Sequence, residues 1–219
     1  ALETGPCTNP LFQAFFDAAK QAGYPLTSDV NGYKQEGIGP FDRNINRGRR
    51  LSAARAYLHP VKRRGNLDVV CRAHTNRILF DGKKAVGVEF SKGKSVQKVY
   101  GGEVICSSGA INSPQLLQLS GVGNAKELSA LGIDVVCDLP GVGENMQDHL
   151  EVYVQHACKQ PVSEYPALLW YNKPWVGFQW LFQRKGAAAT NHFEAGGFIR
   201  TNDSVEYPNI QFHFLPVAI

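Results

Sequence analysis

Gly109-Ala110-Ile111-Asn112-Ser113-Pro114-Gln115-Leu116-Leu117-Gln118-Leu119-Ser120-Gly121-Val122-Gly123 is the stretch on which the reading of this chain turns. It follows Glu103–Ser107 (EVICS), a more continuously apolar run than its neighbours, as expected for a strand buried on both faces. Ser108-Gly109-Ala110 then leads into a predicted helix over Ser113–Leu119, with Ser113 as cap and Pro114 at the first position. Small residues at a strand–helix turn let backbone amides approach a phosphate or a ribose, and a helix N-terminus favours an anion. Taken alone, the turn reads better as an ordinary tight connection in an α/β protein.

Outward from that stretch, the hydrophobic pattern changes period several times. Asn9–Gly23 reads as a helix capped by Asn9, opened by Pro10 and stopped by Gly23. A second helical stretch is predicted over Ser52–Leu58, capped by Ser52 and ended before Pro60. Leu67–Cys71, Arg77–Phe80, Ala85–Ser91 and Val96–Tyr100 read as strands. Asp81-Gly82 and Lys92-Gly93 make the last three a small antiparallel meander. Ala125–Leu131 is a helix ending at Gly132, Asp134–Cys137 a strand, and Gly141 and Gly143 bracket a turn. From Glu151 onward come an alternating run, Val152–Ala157, an aromatic helix-like stretch, Trp175–Arg184, and strands over Gly197–Arg200 and Asn209–Phe214. The change of character places a domain boundary near residue 150.

Composition narrows the class. The 219 residues, 43% hydrophobic and 19% charged, suffice for one good core or one and a half domains. The net charge of +4 is scattered, apart from Arg47–Arg50 and Lys62–Arg64, so no nucleic-acid groove is expected. Five cysteines lie far apart, without a CxxC pair or zinc-like Cys–His spacing, which favours a reducing compartment. Cys71 and Cys106, inside apolar strand-like runs, read as small hydrophobes. No signal peptide opens the sequence, and no run reaches the roughly 18 apolar residues of a membrane span. The sequence begins at Ala1, holds one methionine, Met146, and stops within the apolar run Phe212–Ile219, so an internal segment of a longer protein is expected.

The fifteen-residue string resembles, throughout its length, the second signature of the glucose–methanol–choline oxidoreductases. Leu139–His149 (LPGVGENMQDH) follows at family-like spacing, and Ala53–Pro60 and Asn66–Phe90 are also similar, so the likeness covers essentially the whole chain. Within the family it resembles most the choline dehydrogenase branch, on Gln21–Leu26 (QAGYPL), Ala56–Pro60 (AYLHP), Ala85–Glu89 (AVGVE) and Ile210–Pro216 (IQFHFLP). The resemblance implies an FAD enzyme that moves a hydride from an alcohol carbon to the flavin. It implies an α/β (α+β) fold: residues 1–150 the central part of a Rossmann-like FAD-binding domain, residues 151–219 the beginning of an antiparallel-sheet substrate domain. No G-x-G-x-x-G is present, so that unit is expected upstream of Ala1, and the catalytic histidine downstream of Ile219. On this reading the isolated chain neither holds FAD tightly nor turns over.

Residue by residue, the resemblance puts Thr75 at a position whose backbone meets the adenine, and Ser107, Ser108 and Gly109 at the strand end beside the cofactor. Glu151 matches the carboxylate that faces a trimethylammonium group, Phe193 an aromatic of the cation cage, and His213 a histidine near the substrate hydroxyl. A quaternary nitrogen offers no hydrogen bond, so charge and aromatic faces must hold it. Some relatives carry tryptophan where Phe193 stands, a better cation–π partner. Each residue also has an ordinary structural reading: turn, core, or a satisfied strand-end histidine. Asp148 and His149 read as a structural pair closing a loop. Val176, Trp180 and Leu181 read as a core face; membrane-interface docking is the alternative. The expected partners are a small alcohol, choline first, and an acceptor that is oxygen or part of the respiratory chain. The expected location is the cytoplasmic side, peripheral to the inner membrane. A sibling oxidising another primary alcohol and a non-catalytic binding module remain open.

Overall fold

A computed structural model describes residues 2–218. Their contacts fall into two compact units, one formed by residues up to Arg64 together with those from Tyr153 onward, the other by Gly65–Val152. The units are thus not consecutive stretches of sequence.

In the Gly65–Val152 unit, His74–Asp81, Lys84–Lys92 and Ser95–Tyr100 form the predicted antiparallel meander. Each strand runs one residue further into its turn than the pattern suggested, leaving Gly82-Lys83 and Gly93-Lys94 as two-residue loops. Gly82 and Gly93 take φ of +56° and +62°, as primed hairpin turns require. The decisive stretch packs on the first of these strands. Leu116 is buried with Ile78 and Phe90, each such side chain contributing about 1.5–3 kcal/mol. Ser120 fastens helix to sheet: its hydroxyl donates to the Leu116 carbonyl at 2.6 Å and accepts from the Ile78 N–H at 2.8 Å. Gly121 has φ +87°, and a Cβ there would sit 2.3 Å from the Asp134 carbonyl. This close approach lets Val122–Gly123 pair in parallel with Cys137–Asp138. Ala125–Ala130 is the predicted short helix, capped by Asn124 and followed by Gly132 at φ +73°.

Several expectations in this unit are corrected. The helix starts at Gly109 rather than Ser113, and Pro114 lies inside it. Ser113 does cap, but from within the first turns: its Oγ accepts from the Ser108 N–H at 2.9 Å. Proline's missing bond falls on the carbonyl of Ala110, an exposed residue that water can serve. Leu67–Cys71 and Glu103–Ser107 join no ladder, and Ile105 is 81% exposed. A strand's amides and carbonyls need a partner strand, and among the described residues none lies alongside either segment. Cys71 is accordingly exposed and Cys106 half-buried.

In the other unit, Gly37–Pro40, Ala195–Ile199 and Ile210–Phe214 form an antiparallel sheet with Ala195–Ile199 in the middle. The helix Pro10–Gln21 packs on it, with Asn9 Oδ1 accepting from the Leu11 N–H and Pro10 at its start. Phe12 and Ala19 are its buried residues. Ala19, Ile38 and Ile199 form the core cluster, with Phe15 and Phe16 against it. Phe214 stacks on Phe15 at 4.6 Å and meets Phe12 edge-on at 5.7 Å. The Ser52–Leu58 helix is a π-type turn, Ala54–Leu58, that runs on through His59–Val61, so Pro60 does not end it; proline's fixed φ suits the opening of that last turn. Among the described residues, 152–157 carries no strand, contrary to the alternating pattern. Lys173–Phe178 and Gln179–Gln183 are helical, ended by Arg184 at φ +57°. Trp180 is half-buried, its Nε1–H donating to the Gly48 carbonyl at 2.7 Å, whereas Leu181, expected in the core, is 57% exposed.

The chain is thus a mixed helix-and-strand structure. Among the described residues its ladders are antiparallel, apart from the pair at Val122–Gly123 and one bridge between Leu26 and Ile38.

Candidate functional site

His213 lies on the outer strand Ile210–Phe214, directly opposite Gly196 of the central strand. Two phenylalanines meet its ring nearly at right angles: Phe193 at 5.7 Å and 89°, and Phe41 at 5.7 Å and 83°. Edge-to-face contacts of this kind add about 0.5–1.5 kcal/mol each beyond area burial. The chain therefore brings together Phe193 and His213, two of the three residues read as the substrate wall, and adds Phe41.

Phe193 is followed at once by Glu194, which is 4% exposed. Arg43 holds that buried carboxylate: its Nη1 donates to Glu194 Oε1 at 2.7 Å and to Thr190 Oγ1 at 3.0 Å, while its Nη2 donates to Glu3 Oε1 at 2.7 Å. The Thr190 hydroxyl donates to Glu194 Oε1 at 2.5 Å, and the Cys7 N–H to Glu194 Oε2 at 2.8 Å. Three hydrogen bonds, one of them from the guanidinium, compensate the buried charge. Burial first, and then the Glu194 charge, push the Cys7 thiol up to about 11 against the pull of Arg43. At neutral pH Cys7 is therefore a thiol that donates to the Glu194 carbonyl at 3.1 Å, not a nucleophile.

On the other side of Phe193, His192 Nδ1 meets Glu164 Oε2 at 2.5 Å. They line a cavity of about 230 Å³ with Ala167, Leu168, Val176 and Val217. A larger cavity, about 780 Å³, opens beside Arg43, Glu194 and Arg184. The hydrogen bond to Glu164 raises the His192 pKa from its ordinary 6.5, against the opposing effect of burial. The imidazolium is thus favoured in the folded state. Its stabilising contribution is full below about 6.5 and is lost as pH rises through the higher folded value. The melting temperature of the wild-type chain is expected to fall over that window relative to His192→Gln. Parallel melting curves for the two from pH 5 to 9 would disprove the contribution.

In the Gly65–Val152 unit, Thr75 sits half-buried in the first meander strand, opposite Phe90 and next to a register shift. Ser107, Ser108 and Gly109 are exposed at the start of the eleven-residue helix Gly109–Leu119. Gly109 has φ +90°, and a Cβ there would meet nothing within 4 Å. Glu151 is exposed near the end of this unit. Asp148 Oδ1 accepts from the His149 backbone N–H at 2.8 Å, a local turn contact. Among the described residues, no cluster of three metal-ligating side chains occurs.

Sequence reasoning missed Phe41, Arg43, Glu164 and Glu194. The contacts that define them join Glu164 to His192, Arg43 to Glu194 and Phe41 to His213, all far apart in sequence, and an isolated Arg or Glu in a pattern carries no sign of burial.

A family model described as GMC oxidoreductase matches residues 1–151. The oxygen-dependent choline dehydrogenases of Staphylococcus saprophyticus subsp. saprophyticus and Staphylococcus haemolyticus are each 59% identical to the chain over 218 residues, all of it. The chain spans 39% and 38% of their lengths. Among solved structures, a formate oxidase superposes with a TM-score of 0.79 at 25% identity, over 91% of this chain and 35% of that one. Pyridoxine 4-oxidase from Mesorbium loti gives 0.59 at 30% identity, over 64% of this chain and 28% of its own.

Proposed function

The chain belongs to the GMC oxidoreductase family, and from that premise we propose that it forms part of an FAD-dependent enzyme oxidising choline to betaine aldehyde. The observation that carries the substrate is the edge-on contact of His213 with both Phe193 and Phe41 on an antiparallel sheet. It pairs a hydrogen-bonding imidazole with an aromatic wall suited to a cation. The 59% identity to proteins named as choline dehydrogenases supports the same substrate.

The residues present fit one wall of an FAD site. Ser107–Gly109 are exposed, precede a helix of full length, and have open space where a Cβ of residue 109 would stand. In this proposal Thr75 supplies backbone contacts to the adenine, and Ser107, Ser108 and Gly109 admit the ribose. Bound FAD provides the hydride acceptor. Residues 1–150 are assigned to the flavin domain and 151–219 to the start of the substrate domain. The strand Gly37–Pro40 is then lent by the first segment to the sheet of the second. Glu151 would balance the charge of the trimethylammonium group, Phe193 would face its methyl groups, and His213 would hold the alcohol oxygen in place.

No helix among the described residues is long and apolar enough to cross a membrane. We further place the protein on the cytoplasmic side, peripheral to the inner membrane, passing electrons to oxygen or a respiratory acceptor. The exposed rings of Trp170, Trp175 and Phe182 support an interfacial contact.

The test is anaerobic addition of choline to the flavin-loaded enzyme while following the oxidised-flavin absorbance. Bleaching by choline, but not by glucose or benzyl alcohol, is expected. Bleaching only by another alcohol would leave the family in place and remove choline. A protein that takes up no flavin would point to the non-catalytic reading.

A further inference from the structure

We propose that Phe41 is a positioning residue that braces the His213 imidazole by lying across the sheet over Gly196. The role given to His213 rests on the reading above; the brace itself rests on the sheet.

The sheet is ordered Gly37–Pro40, Ala195–Ile199, Ile210–Phe214. Gly39 stands opposite Gly196, and Gly196 opposite His213, so the three share one row across it. Phe41 extends the first strand by one rung, its N–H donating to the Glu194 carbonyl at 2.8 Å. Alternation along a strand puts Phe41 on the same face as Gly39. Between the first and third strands lie two inter-strand gaps, about 9.5 Å in all. A side chain on the first strand can touch one on the third only by lying across the central strand. Two residues of that row, Gly39 and Gly196, have no side chain to stand in the way. A Cβ at Gly196 would fall 2.1 Å from the Phe212 carbonyl oxygen, 2.4 Å from Phe41 Cζ and 2.8 Å from Cε2. The Phe41 ring therefore occupies the space that any other residue at 196 would need.

Phe193 also meets the His213 ring edge-on, so two perpendicular rings contact the imidazole. Phe41 is fixed in turn, because its carbonyl accepts from the Gly5 N–H at 2.8 Å. His213 is exposed and sits on an outer strand, where a lone side chain would sample several rotamers. The two rings restrict it to one. A group that orients a reacting hydroxyl gains from such restriction, since small misplacements cost rate steeply.

The experiment has two arms. In the chain itself, the ring-proton resonance of His213, assigned by its absence in His213→Gln, is followed by NMR in Phe41→Leu and Phe41→Tyr. In the flavin-loaded enzyme, choline turnover is measured for the same two variants. Phe41→Leu is expected to move the His213 resonance and to lower kcat roughly 10-fold with little change in KM, and Phe41→Tyr to restore both. A His213 resonance that stays in place in Phe41→Leu overturns the brace. So does a kcat loss that Phe41→Tyr shares, because a ring-preserving variant keeps the contact. If the wild-type enzyme does not oxidise choline, the functional reading fails, and the resonance arm alone decides the brace.

Discussion

Arg43→Met is expected to destabilise the chain by about 3–5 kcal/mol, the cost of leaving a buried carboxylate without its cation. The Arg43 and Glu194 side chains are 9% and 5% exposed, so water cannot replace the lost guanidinium. Thr190 and the Cys7 amide still donate to Glu194, but neither carries charge. A loss of this size is a large part of the roughly 5–15 kcal/mol that holds a typical domain together. Urea titration of wild type and variant measures it directly. The double variant Arg43→Met/Glu194→Met should recover much of the loss, because the desolvated charge disappears with its partner. A loss below about 1 kcal/mol for the single variant, in the range of surface ion pairs, would show that Glu194 is not held by Arg43. The pair Arg77–Glu89, whose arginine is 52% exposed, is the internal comparison, since it belongs nearer to that weaker class.

The largest functional effect is expected at Glu151. In the flavin-loaded enzyme, Glu151→Gln should raise the KM for choline by about 100-fold, equivalent to roughly 2.7 kcal/mol, as for the loss of the carboxylate that pairs with a bound cation. The same change should leave the KM for a neutral alcohol of similar size nearly unaltered. That contrast separates loss of charge recognition from general damage. A choline KM within about threefold of wild type would remove Glu151 from the cation site.

How much of this was legible in the sequence depends on the range of the interaction. Local signals read well: Asn9-Pro10 opens a helix, Gly132 stops another, and Gly82 and Gly93 turn two hairpins. Each of those choices is settled within four residues. The errors arise where a local pattern needs a distant partner. Leu67–Cys71, Glu103–Ser107 and Val152–Ala157 have strand-like composition, yet composition does not supply a neighbour to bond with. Pro114 misled in the opposite direction, because its preference for a helix start was outweighed by the turn that Ser113 closes ahead of it. For the site, family likeness pointed to Phe193 and His213, which do touch. Phe41 could not be found that way, because its role depends on a glycine in another strand.

The pairing of Arg43 with Glu194 across 151 residues also sets a timetable for synthesis. Ribosomes add roughly 5–20 residues per second, so about 10–30 s separate the emergence of Arg43 from that of its carboxylate. During that interval the strand Gly37–Pro40 lacks its partner strand Ala195–Ile199, and the Phe12–Phe16 face of the first helix has no complete sheet to cover it. The Gly65–Val152 unit emerges whole in the meantime and can close around its own meander. Within this stretch the Gly65–Val152 unit matures first, and the helix Pro10–Gln21, made before it, is sheltered only afterwards.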